Sequence, residues 1–167
     1  MLKRRDVLAS GMVLPVAAAA AVPRLTTDNP LVGSWSLIEA STINAQGVSG
    51  PWLGREMSTG IIIYDVSGTV SVQISSARNS VSSRTDFVSL PDEQRLTYLD
   101  SYYAYYGRYE YDAQTSSVTH FIEAALYPHE IGKAAKRSVT LNGNEVTLTT
   151  PLLPDGVQNV LRWRRVA

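Results

Sequence analysis

Val70, Val72 and Ile74 alternate with Ser71, Gln73 and Ser75, and the same two-residue rhythm returns along most of this sequence. A period of two belongs to strands that bury one face, so a chain dominated by it has to build sheet. The clearest case is a hairpin. Residues 60–66, rich in β-branched side chains, and residues 69–75 flank Ser67-Gly68, a tight-turn pair. Further strands are expected at residues 32–40, 105–112, 117–125, 136–141, 145–150 and 159–166, with Asn142-Gly143-Asn144 as a second hairpin turn. The spacing predicts one helix, from Pro91-Asp92-Glu93 to about Tyr103, with Leu96, Leu99 and Tyr103 on one face. Residues 44–58 and the serine-rich 75–90 read as loops. The fold expected is all-β: an eight-stranded up-and-down antiparallel barrel with one short helix between strands three and four. Closing the sheet removes the exposed edges that an open one would leave.

Length and charge narrow the classes of function. At 167 residues, 44% hydrophobic and 18% charged, the chain is globular and long enough for one domain with a core. Its formal net charge of zero argues against a nucleic-acid partner, which demands a basic face. With no cysteine, disulfides and thiolate chemistry are excluded. His120 and His129 are the only imidazoles, so a three-histidine metal site is impossible. There is no nucleophile elbow, phosphate loop or dinucleotide glycine fingerprint, and no cofactor, metal or catalytic set is assigned.

The first 22 residues read as a cleaved export signal. Lys3-Arg4-Arg5-Asp6-Val7-Leu8 leads into an alanine-rich apolar run, with small residues between Ala17 and Ala21 for cleavage. The Arg4-Arg5 pair points to twin-arginine export, and an ordinary secretory signal is the alternative. The run is short and broken by Gly11 and Pro15, so no stable membrane span is expected after cleavage. Residues 23–30 read as a linker, and residues 31–167 as the barrel. Cleavage removes three basic residues and one acidic residue from the 15 of each, leaving a net charge of −2. The expected destination is periplasmic or secreted.

Leu31-Val32-Gly33-Ser34-Trp35-Ser36-Leu37 resembles the opening of bacterial and fungal lipocalin-like domain proteins. The likeness continues through Gly60-Ile61-Ile62-Ile63-Tyr64-Asp65, Tyr105-Tyr106-Gly107-Arg108-Tyr109-Glu110, His120-Phe121-Ile122-Glu123 and the closing Leu161-Arg162-Trp163. The resemblance implies a barrel with a ligand cavity, and no particular reaction. It also implies that Trp35 packs under the barrel floor beneath an arginine of the last strand, Arg162 or Arg164.

The expected ligand is a small hydrophobic or amphipathic molecule, held by Tyr105, Arg108, Tyr109, His120, Phe121 and Glu123. Tyrosines supply an aromatic wall with a hydroxyl handle. His120 shares a strand face with Val118 and Ile122, whereas Glu123, three residues on, points the opposite way. Arg108 and Arg137 either meet an acidic ligand or pair with Glu110, Glu123 or Asp112, and pairing is the ordinary fate of such charges. Apolar walls are expected from Trp35, Ile63, Val72, Ile74, Phe121 and Leu148. Two other readings stay open: a cyclase or isomerase confining a reactive metabolite in the same cavity, and an envelope protein whose barrel is filled.

Overall fold

The computed structural model describes residues 29–78 and 80–166. The expected signal and most of the expected linker lie outside the described residues. The strands are β1 (Gly33–Asn44), β2 (Ser49–Pro51), β3 (Met57–Tyr64), β4 (Thr69–Ser76), β5 (Tyr102–Asp112), β6 (Ser117–Ala125), β7 (Ala134–Asn142), β8 (Glu145–Thr149) and β9 (Val157–Arg165). Each long strand pairs antiparallel with the next, and β9 returns to pair with β1, closing an eight-stranded barrel. β2 is a three-residue addition that pairs only with the far end of β1. Among the described residues no helix is long and apolar enough to cross a membrane.

The helical part departs from expectation. There are two helices, α1 (Arg84–Ser89) and α2 (Asp92–Asp100), and they lie after β4. The extra strand β2 arises where a loop was expected, because Thr42 Oγ1 and the backbone of β1 hold Gly50 against β1. α1 forms inside the serine-rich stretch because Ser83 caps it, its hydroxyl accepting from the Asp86 amide at 3.1 Å. α2 stops before Tyr103, which belongs to β5 and faces inward. Neither helix buries a residue; they lean on each other through Phe87 and Tyr98, ring centroids 5.5 Å apart.

Inward positions form one core, and three bulges set its phase, one of them at Ser58 of β3 between Met57 and Thr59. In β1, Trp35 and Leu37 face in, Ile38 is the extra residue opposite β9, and Ala40 resumes the inward set. In β6, Glu123 is the extra residue opposite Gly107, so Ile122 and Ala125 both face in although they are three apart. Gly107 is obligatory there. A Cβ on it would stand 1.9 Å from the Phe121 carbonyl oxygen.

Candidate ligand-binding site

The barrel floor is built around Trp35, which is wholly buried. Its indole Nε1 donates to the Leu31 carbonyl at 2.8 Å, and the Arg165 guanidinium lies 4.0 Å from its ring centroid. Arg165 also donates to the carbonyls of Val32 (2.8 Å) and Pro30 (2.6 Å), tying the entering chain to the end of β9. Gly33 makes this possible: a Cβ there would meet Arg165 Nη1 at 2.8 Å. The arginine over the indole is therefore Arg165, not Arg162 or Arg164. Trp163 faces in, so its neighbours at 162 and 164 face out; Arg162 bonds Glu39 and Glu145, and Arg164 bonds Glu145.

Above the floor, β3, β5 and β6 bring together a buried polar chain inside an apolar wall. Tyr64 Oη lies 2.8 Å from His120 Nε2, and Tyr105 Oη lies 2.6 Å from His120 Nδ1. His120 is fully buried. Burial, reinforced by the positive charge of Arg137, holds its pKa well below the ordinary imidazole value, so the ring is neutral. Burial likewise raises both phenols, well above the usual value for Tyr64, and for Tyr105 it outweighs the opposing pull of Arg137.

Tyr105 and His120, with Tyr64 behind them, border a cavity of about 50 Å³. Ile62, Val72, Ile74, Leu148 and Leu161 supply its apolar lining, and Tyr103, Tyr105, His120, Arg137, Asn159 and Trp163 its polar groups. Trp52, on a short 3-10 turn (Trp52–Gly54) between β2 and β3, stands edge-on to Tyr103 at 5.0 Å and also lines the cavity. A larger groove of about 630 Å³ lies outside, among α1, α2 and the ends of β5 and β6, but it is open and carries no buried polar group.

A family model for the lipocalin-like domain matches residues 32–166. The chain belongs to the lipocalin-like domain family. No curated protein matches it significantly. A lipocalin-like barrel is, in general terms, a small-molecule-binding scaffold, and here its interior is the place to look for that function.

Of the residues expected at such a site, the lipocalin-like barrel unites Tyr105 and His120. Tyr109 is buried nearer the floor, donating to the Asp65 carbonyl at 3.2 Å and stacking edge-on to Tyr64. Arg108, Phe121 and Glu123 face outward. Arg108 is Phe121's cross-strand partner and donates to the Ser67 carbonyl at 2.8 Å, and Glu123 is displaced onto the bulge. The reason is phase: Tyr105, Gly107 and Tyr109 take the inward positions of β5, and His120 those of β6. Ile63 is turned out for the same reason, and Trp35 lies beneath the cavity rather than in its wall.

Arg137 is not paired with Glu110, Glu123 or Asp112. It projects into the barrel from β7, where its one hydrogen bond among the described residues goes from Nη1 to the Ala135 carbonyl at 2.9 Å. Tyr64, Trp52, Tyr103 and Trp163 were also absent from the expected ligand set. Alternation from Val139 on β7 and from Leu161 on β9 carries the signal for Arg137 and Trp163. Nothing comparable marks Trp52, which lies in irregular chain.

Proposed function

We propose that this chain is an exported binding protein that takes a small hydrophobic or amphipathic molecule into the Trp52 end of its barrel. The observation that carries the reading is the polar chain Tyr64–His120–Tyr105 beside a cavity whose remaining wall is largely apolar. A few convergent polar groups in an apolar recess are what orient such ligands. Tyr105, His120 and the neighbouring Arg137 are the orienting groups; Val72, Ile74 and Leu148 are the wall.

At about 50 Å³ the cavity is far below the roughly 300 Å³ at which pockets for whole metabolites begin, so the interior has to widen for a ligand to enter, and Trp52 is the wall residue we propose moves. Its turn is suited to that. Leu53 holds a φ of 53°, a left-handed conformation that a branched side chain adopts only under strain. The small cavity also favours the rival reading, a barrel filled for structural purposes. The cyclase or isomerase reading has less support, because both nitrogens of His120 are already engaged. Export rests on Arg4-Arg5 and the apolar run after it, and calls for N-terminal sequencing of protein recovered outside the cytoplasm.

Nile red, a neutral dye, tests interior binding. Saturable blue-shifted emission, tightened or accelerated in Trp52→Ala, is expected. Failure of both proteins to bind the dye would establish the filled barrel instead.

A further inference from the structure

Donors around the cavity outnumber acceptors: Asn159 Oδ1 and Thr150 Oγ1 also line it, and Thr150 Oγ1 already accepts from the Asn159 amide at 2.9 Å. A neutral imidazole has one N–H and one bare nitrogen. Whichever nitrogen of His120 carries the proton, one tyrosine donates to the bare nitrogen and the other accepts from the N–H. The accepting tyrosine keeps its own hydroxyl proton, and among the described residues neither Tyr64 nor Tyr105 has a further acceptor. Trp163 Nε1, which can only donate, is buried without a partner and belongs to a side chain lining the same cavity. Arg137 is a donor-only cation with one of its five N–H groups placed, on the Ala135 carbonyl. The one acid whose charge reaches it is Glu130, and the Glu130 carboxylate already holds Lys133 at 3.3 Å, His129 at 3.0 Å and the Tyr103 hydroxyl at 3.5 Å.

We infer that the ligand of this barrel carries a carboxylate, received by the Arg137 guanidinium, the Trp163 Nε1–H and the hydroxyl of Tyr105, the phenol of the chain that lines the cavity and the one left with a spare proton when His120 is protonated on Nδ1; the inference rests on the interior-binding reading above. A carboxylate supplies about four lone-pair sites and one negative charge, which matches three kinds of donor and an uncompensated cation. A guanidinium grips it through two parallel bonds, a geometry lysine lacks. The cavity of about 50 Å³ accommodates the head alone. The apolar body then runs along Ile74 and Leu148 toward the position of Trp52, a large side chain carried by irregular chain. An aliphatic or aryl-alkyl monocarboxylic acid is the class that fits.

Calorimetric titration of the purified protein at about pH 7.5 with decanoate and with decanol tests this, with phenylacetate and phenylethanol as a second pair. The acid is expected to bind about 10-fold or more tightly than its alcohol, the usual margin of a charge-assisted pair. Arg137→Met should bring the two affinities together, and Trp163→Phe should weaken the acid about threefold or more while sparing the alcohol. Should Arg137→Met not fold, Arg137→Lys keeps the charge without the fork and is expected to fall between. Equal affinities in the wild-type protein would overturn the carboxylate and leave interior binding standing. An acid preference that survives Arg137→Met would place the anion elsewhere, such as beside Arg78 in the outer groove, and overturn it too. Binding of neither acid, alcohol nor Nile red would remove both readings together.

Discussion

His120 makes stability depend on pH in a direction that can be worked out in advance. In the folded barrel burial keeps the ring neutral far below its ordinary pKa, with Arg137 adding to the effect. In the unfolded chain it takes a proton below about pH 6.5. Stability is therefore fully present above that pH and is lost as the pH falls, because the unfolded state then binds a proton that the folded state refuses. One such proton removes about 1.4 kcal/mol per pH unit once well below 6.5, or about 2 kcal/mol between pH 7.5 and 5. Urea unfolding followed by tryptophan fluorescence at both pH values measures it. His120→Gln is the control: it has no proton to take, while His129 and the carboxylates remain in both proteins and cancel. The wild type should lose about 2 kcal/mol more than the variant over this interval. An equal loss in the two would mean that His120 charges inside the fold, and the neutral phenol–imidazole chain would have to be abandoned.

Gly107→Ala should lower stability by about 3 kcal/mol or abolish folding, since the new methyl meets the Phe121 carbonyl at 1.9 Å; a circular-dichroism melt decides. Arg165→Ala removes the cation from the Trp35 ring and two bonds to carbonyls, and should cost about 2 kcal/mol in urea unfolding with a shift in indole emission. Arg164→Ala, by contrast, loses only an exposed contact with Glu145 and should leave the thermal midpoint unchanged. Tyr105→Phe strands His120 Nδ1 and should cost about 1–3 kcal/mol, read from the same unfolding curves.

Strand existence was legible because period-two alternation is local: the β3–β4 hairpin and the β7–β8 turn at Asn142–Glu145 follow directly from it. The site was half legible. His120 and Tyr105 lie on strand faces that the pattern marks as inward. Ala124 and Ala125 show what the pattern withholds: alternation from Ile122 puts Ala124 inward, but the bulge at Glu123, a one-residue event created by pairing with Gly107 across the sheet, brings Ala125 in instead. Arg137 is hard to place from sequence because charges on barrels are usually paired outside, yet its neighbours Ala135 and Val139 mark its face as the inner one. Which nitrogen or hydroxyl lacks a partner depends on four strands at once, so the shortage of acceptors became visible only in three dimensions. α1 was hidden because a single capping serine among several looks like loop composition.

The Arg165 tie has a consequence for the order in which the protein can be made. It joins atoms 133 and 135 residues apart in the chain, and β1 waits for β9 along one whole edge. At ribosomal speeds of roughly 5–20 residues per second, β1 is synthesised on the order of 10 seconds before its last partner exists. During that interval the strand carrying Trp35 presents an unpaired edge to the cell, and no partial length of chain can close the floor. Closure of the barrel therefore waits for release of the final strand, and the floor is the last part of the fold to be completed.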